Sequence, residues 1–287
     1  MFVQFRPWLA CDRGCSFCYL KESDRTMSSK DKKASLMELG CMLHRAVDGC
    51  DTMGIIGGEL FDDDSLYREW FCLAECIRNA KDVQRVFVGT HLIDNVDTLL
   101  DFITMVNNKE IQICTSYDTK GRFRNDKEYQ QWLDNIKECQ KEGYKVVVSA
   151  TLTDAFVNDK DFVIPDGVDF KIQPFFYTEE WLEEISNRIE TPQEYNAELR
   201  LNQTGLAKRE DTLRWFAEHP LIAKDYSTYD DKHATILYDY VDKRYEKKDF
   251  LPTTAVAPCG HPYIAYCYAD SDKCTMCDAR EVYENVR

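Results

Sequence analysis

The sequence predicts an α/β fold around a six-stranded parallel sheet, followed by a helical, cysteine-rich C-terminal extension. Two observations carry this. From Phe2 to Tyr177, short apolar runs alternate with amphipathic stretches of helical length. From Thr178 onward the alternation stops, and the chain becomes strongly charged and then rich in cysteine. Six βα units are too few for the closed eight-stranded barrel.

The elements follow in order. Strand one is Phe2–Trp8. Over Lys33–Val47, apolar residues recur at Leu36, Leu39, Leu43 and Val47, the spacing of one helix face. Thr52–Ile56 is a short apolar strand ending at Gly57-Gly58-Glu59, and Leu66–Ala80 is the helix after it. Val83–Gly89 is strand three, Val96–Val106 a helix and Glu110–Ser116 strand four. Lys127–Lys141 is a helix stopped by Gly143. Lys145–Leu152, rich in valine, is strand five, and Asp169–Pro174 strand six, with Pro174 at its end where no ladder donor is needed. Helices are then expected over Glu179–Ile189, Asp211–Glu218 and Asp231–Tyr245, with no strands between them. The organisation is a core over 1–177, a helical linker over 178–258 and a cysteine-rich tail over 259–287.

Composition narrows the function. With 44% hydrophobic and 13% aromatic residues in 287, the chain has the material for a real core. No apolar run approaches the ~20 residues of a membrane helix, and the start, Met-Phe-Val-Gln-Phe-Arg, lacks the regions of a signal peptide. A cytoplasmic location without membrane association is expected. The net charge of −15 argues against passive adhesion to nucleic acid, which needs a basic stripe. The 13 cysteines, an odd number, concentrate in two local groups in a chain too large to need staples, so metal or redox chemistry in a reducing compartment accounts for them better than disulfides do.

The first group is Cys11, Cys15 and Cys18, at C-x3-C-x2-C spacing directly after strand one. Three thiolates from one loop can converge on one side of a [4Fe–4S] cluster and leave its fourth iron open. The alternative is a zinc knuckle. The second group, Cys259, Cys267, Cys274 and Cys277, puts four thiolates within 19 residues, a closed set for a structural zinc or for a cluster. His261 before Pro262 is a turn residue rather than a ligand. Cys41, Cys50, Cys72, Cys76, Cys114 and Cys139 have no ligand spacing and are expected to pack as small hydrophobes.

With Phe17 just before the last cysteine of its loop and Gly57-Gly58-Glu59-Leu60 ending strand two, the N-terminal region resembles the radical S-adenosylmethionine (SAM) enzymes. Leu60 replaces the proline of their Gly-Gly-Glu-Pro motif. The resemblance implies a (β/α)6 partial TIM barrel with its chemistry at the C-terminal strand ends. It also implies a [4Fe–4S] cluster on Cys11, Cys15 and Cys18, with SAM beside Phe17, Gly57, Gly58 and Glu59. Backbone carbonyls of the glycines, and Glu59, would accept from the SAM ammonium. Ser116-x-Asp118 at the end of strand four, with arginines downstream, resembles the peptide maturases of that family. There Ser116 would meet SAM, and an arginine would pair with its carboxylate, Arg124 being preferred to Arg122. Ser149, Thr151 and Gln173 would line the adenosine side by position. The tail resembles a short SPASM or twitch block, holding an auxiliary [4Fe–4S] cluster or zinc.

The resemblance implies an enzyme that reductively cleaves SAM and removes a hydrogen atom from a peptide or protein, supplied by a flavodoxin- or ferredoxin-type reductase in an anaerobic setting. A nucleobase or small-molecule substrate and activation of a glycyl-radical partner are the enzymatic alternatives. A non-catalytic zinc-binding module is the alternative of a different class.

Overall fold

In a computed structural model, described for residues 2–8, 10–15, 36–62, 64–94, 96–118, 121–173, 209–227, 235–239, 244–248 and 282–285, the expected alternation is present. The strands are β1 (Phe2–Arg6), β2 (Thr52–Ile55), β3 (Arg85–Gly89), β4 (Glu110–Tyr117), β5 (Lys145–Thr151), β6 (Asp169–Gln173), β7 (Thr235–Asp239) and β8 (Arg244–Lys248). The helices are α1 (Leu36–Val47), α2 (Tyr67–Asn79), α3 (Val96–Val106), α4 (Asp126–Lys141), the single turn α5 (Asp154–Val157), α6 (Arg209–Glu218) and α7 (Pro220–Ser227).

One sheet holds all eight strands in the order β6-β5-β4-β3-β2-β1-β7-β8. Each of β1 to β6 lies beside its neighbour in sequence, and all five of these pairings are parallel. Successive crossovers in one direction, with their fixed hand, bring the connecting helices to one face of the sheet. Val3, Phe5, Met53, Ile55, Val86, Val88, Ile113, Val146, Val148 and Ile172 point to that face and are buried. Against them pack Leu39 and Leu43 of α1, Leu73 and Ile77 of α2, Phe102 and Ile103 of α3, and Trp132 and Ile136 of α4. Each fully buried side chain of this size contributes about 1.5–3 kcal/mol relative to exposure. The 3.6-residue period of the helices and the period of two in the strands meet at this layer.

The helix expected over Asp231–Tyr245 does not form. Strands β7 and β8 take its place, so the stretch 178–258 is not purely helical and contributes two strands to the main sheet. Thr235-Ile236-Leu237-Tyr238 is β-branched and aromatic, and such residues fit a pleated surface better than a helix. β7 pairs in parallel with β1, from Phe2↔Thr235 to Arg6↔Asp239, and so satisfies an edge that β1 would otherwise expose. β8 returns antiparallel to it. The helix expected over Asp211–Glu218 is present as α6. The one expected over Glu179–Ile189, and the tail from 259, lie outside the described residues. No helix among the described residues is long and apolar enough to cross a membrane.

Cys139 shows how the core disposes of its extra thiols. It lies on the buried face of α4 with no exposed surface, and burial pushes its thiol from an ordinary value near 9 up to about 12. The folded state therefore favours the neutral thiol. That contribution is complete below pH 9 and is lost as pH rises toward 12, at up to about 1.4 kcal/mol per pH unit. Urea unfolding at pH 8 and pH 10.5 should show a smaller loss for Cys139→Ala than for the natural chain. Equal losses would mean that Cys139 ionises as freely when folded as when unfolded.

Candidate active site

Three strand ends converge on the cysteine loop. The first contact comes from β2. The amides of Gly58 and Glu59 donate to the carbonyls of Trp8 (3.2 Å) and Ala10 (2.8 Å), and the Trp8 indole donates back to the Glu59 carbonyl at 3.1 Å. The backbones meet so closely that a Cβ on Gly57 would lie 2.3 Å from the Trp8 carbonyl oxygen. This explains glycine at 57 by close approach. The turn is thereby sewn to the segment that carries Cys11 and Cys15.

Glu59 is buried, and its carboxylate is taken up by the chain itself. Oε1 accepts from the amides of Leu60 (3.0 Å) and Phe61 (3.3 Å) and from the Thr90 hydroxyl (2.8 Å). Oε2 accepts from the His91 amide at 2.5 Å. The side chain expected to receive the SAM ammonium thus fixes the β2 turn against the end of β3. The candidate acceptors for a ligand are the glycine carbonyls.

His91 completes this knot. Its Nδ1 accepts from the Ile93 amide at 3.0 Å, and a ring nitrogen in that role carries no proton. The proton is therefore on Nε2, which faces Asp62 at 3.0 Å and Glu59 at 3.6 Å. Asp12, Asp62 and His91 bring ligand atoms within 4.8 Å of one another. With both imidazole nitrogens engaged, the group reads as a hydrogen-bonded brace rather than a metal site. Leu92, buried, is held at φ 57°, a left-handed conformation that costs a bulky residue about 1–2 kcal/mol. The bracing offsets that strain: the Leu92 amide donates to the Thr90 hydroxyl, and the Asn135 amide group donates to the carbonyls of Leu92 and Ile93.

The third contact comes from the loop after β4. The Gly14 amide donates to the Gly121 carbonyl at 3.2 Å. Beside it, buried Arg122 reaches from the Thr90 carbonyl (3.2 Å) and the Thr115 hydroxyl (3.0 Å) to within 3.6 Å of the Cys15 sulfur. The Trp132 indole donates to the same Thr115 hydroxyl at 3.1 Å. Arg122 Nε has no hydrogen-bond partner among the described residues.

The two arginines of this loop turn opposite ways. Arg124 is 54% exposed, pairs with Asp12 and Glu128 outside the strand ends, and has its pKa raised by Asp12. It forms the outer part of an ion network centred on Arg13. Arg13 is buried, with its guanidinium against Asp12 (3.2 Å), Glu128 (2.7 Å) and Asp94. The network ties the cysteine loop to the starts of α3 and α4.

Of the remaining expected residues, Ser116 and Ser149 stand opposite each other on β4 and β5, half-buried. The Ser149 hydroxyl donates to the Thr115 carbonyl at 3.3 Å. Thr151 is buried and pairs with Gln173 on β6. Cys11 is half-buried and Cys15 buried. Phe17, Cys18, Cys259, Cys267, Cys274 and Cys277 lie outside the described residues. Thr90 and His91 are residues that the sequence analysis did not name, and Arg122 is one that it placed second to Arg124. Thr90-His91 directly follows strand three, and the importance of strand ends could have flagged them. Nothing in the spacing separates Arg122 from Arg124.

The donor set suits an iron–sulfur cluster. Cys11 and Cys15 share one loop, and a buried guanidinium with a spare N–H lies against a sulfur that would carry negative charge as a ligand.

No family model and no curated protein matches the sequence. Solved structures do match in fold. Native anSMEcpe with bound AdoMet aligns with a TM-score of 0.55 at 11% identity, over 99% of this chain and 82% of that one. A histidine-tagged form of it with bound AdoMet aligns at 0.50 and 12% identity, over 79% of this chain and 61% of that one, so the chain spans about three fifths of that length. Streptococcus suis SuiB, bound to precursor peptide SuiA, aligns at 0.49 and 15% identity, over 100% and 66% of the two chains. The fold assignment rests on the first two. Both carry bound AdoMet, and the chain has their fold, an α/β partial barrel.

Proposed function

We propose that the chain is a radical SAM enzyme whose Cys11, Cys15 and Cys18 hold a [4Fe–4S] cluster and whose substrate is a peptide or protein. Held by these cysteines, the cluster would supply the electron for reductive cleavage of SAM, and the cleaved SAM would supply the chemistry for removing a hydrogen atom from the substrate. The observation that carries this is the convergence of the cysteine loop, the Gly57-Gly58 turn and Arg122 at neighbouring strand ends. The loop holds the cluster ligands. The glycine carbonyls accept from the SAM ammonium, and the spare Nε–H of Arg122 is suited to its carboxylate. Glu59, Thr90 and His91 act through the backbone, keeping the turn and the β3 end in register. Ser116 and Ser149 line the adenosine side, with Thr151 and Gln173 above them. Such preorganised protein groups supply binding, orientation and exclusion of water, and leave the radical chemistry to the cofactors.

The peptide substrate is supported by the maturase-like Ser116-x-Asp118 segment and the cysteine tail. Cys259, Cys267, Cys274 and Cys277 form a second metal site, for an auxiliary cluster or zinc. A flavodoxin- or ferredoxin-type reductase in a reducing cytoplasm supplies the electron.

Anaerobic reconstitution with iron and sulfide tests the proposal. Two clusters give about eight irons per chain, and one cluster with a zinc tail about four. Dithionite and SAM should then release 5′-deoxyadenosine, and Cys15→Ala should abolish that release. Zinc in both cysteine groups with no SAM cleavage would reduce the chain to a metal-binding module.

A further inference from the structure

The inner face of β4, β5 and β6, opposite the helices, differs from the helix face in composition. Where buried Ile113, Val146, Val148 and Ile172 point to the helices, the alternate residues, buried Val147 apart, are polar or small. Two rows can be read from the register. Ser116, Ser149 and Lys171 face one another across the three strands, and Cys114, Val147 and Asp169 form the row below. A closed barrel fills this space with branched apolar side chains. Here Val147 and Thr151 are buried, Ser116 and Ser149 half-buried and Lys171 exposed.

Its charge is unbalanced. The Lys145 and Lys171 ammonium groups share one carboxylate oxygen, Asp169 Oδ2, at 3.3 and 3.5 Å. Among the described residues, two cations against one anion leave one positive charge. Both lysine side chains are more than half exposed, at 56% and 58%. Lys171 is the one nearer the site, in the row of Ser116 and Ser149. It stands on β6, an edge strand of the sheet. In a chain of net charge −15, a surplus cation on an otherwise uncharged serine row is a local attractor for anions.

We propose that Lys171, seconded by Lys145, receives a carboxylate of the substrate and so selects an acidic peptide segment at the β6 edge of the sheet. This rests on the peptide-substrate reading. Lys171 would be a specificity residue, contacting substrate while taking no part in SAM binding.

The test is fluorescence anisotropy of labelled nonapeptides with the full chain, anaerobically purified and in low salt. One peptide has a central glutamate and an amidated C-terminus, a second has glutamine there and a free C-terminus, and a third has lysine there and an amide. The natural chain should bind one of the first two more tightly than the third, and which of the two tells a side-chain carboxylate from a terminal one. Lys171→Gln should weaken that peptide about threefold and Lys171→Glu about tenfold, as for a partly exposed ion pair. Lys160→Glu, exposed and outside the sheet, should leave it unchanged. Equal binding of all three peptides overturns the assignment. So do equal losses in Lys171→Glu and Lys160→Glu, and a fall in SAM affinity in Lys171→Gln, which would give Lys171 to the SAM carboxylate. Peptide binding involves no turnover, so failure of SAM cleavage alone bears on the proposed chemistry and not on Lys171.

Discussion

Glu59→Ala is expected to destabilise the protein by more than about 4 kcal/mol, a large part of the 5–15 kcal/mol that holds a domain folded. The reason is the number of donors it would strand. Four groups point at this carboxylate: the amides of Leu60, Phe61 and His91, and the Thr90 hydroxyl. All are buried, and each unsatisfied buried donor costs about 1–3 kcal/mol, although neighbours do not add independently. Glu59→Gln separates charge from geometry. It keeps one carbonyl oxygen but turns an NH2 toward either the His91 amide or the Thr90 side, so it should cost about half as much. Denaturant unfolding of the metal-free chain measures both. A Glu59→Ala chain within about 1 kcal/mol of the natural one would mean that water replaces the carboxylate, and Glu59 would then be free to serve a ligand.

The same residue shows what the sequence makes legible and what it hides. Gly57-Gly58-Glu59 is visible as a motif because its spacing from the cysteine loop is one-dimensional. The direction of the Glu59 side chain is not, because it depends on Thr90 and His91, 31 and 32 residues away. The six parallel strands are legible for a related reason. Val146, Val148 and their counterparts alternate with residues of the inner face, and Leu39, Leu43 and Val47 follow a helical period, so local pattern and global fold agree. β7 is different. Its extended form is decided by pairing with β1, more than 200 residues away in sequence, while the charged residues around it carry a helical appearance. Arg122 and Arg124 differ for the same kind of reason. Two residues apart on a loop, one turns inward to Thr115 and Cys15 and the other outward to Asp12. No composition or spacing rule contains that turn.

The loop geometry that buries Arg122 depends on Gly121, and Gly121→Ala should be the most damaging small substitution at the site. Two penalties combine there. Gly121 has φ 84°, in the left-handed region, which costs an alanine about 1–2 kcal/mol. Its new Cβ would also lie 2.0 Å from the Gly14 carbonyl oxygen and 2.8 Å from the Gly14 carbonyl carbon. Those atoms are backbone and cannot rotate away, so the cysteine loop must move. Gly143 provides the control. It has nearly the same φ, 87°, but nothing within 4 Å of the Cβ position. Gly143→Ala should therefore cost only about 1–2 kcal/mol and leave iron incorporation unchanged. Gly121→Ala should cost at least twice that and lower the iron bound per chain after anaerobic reconstitution, because Gly14 lies between Cys11 and Cys15. Matching stability and iron content in the two variants would show that the cysteine loop adjusts freely at Gly14, and that its seat on the β4 loop is not what positions the thiols.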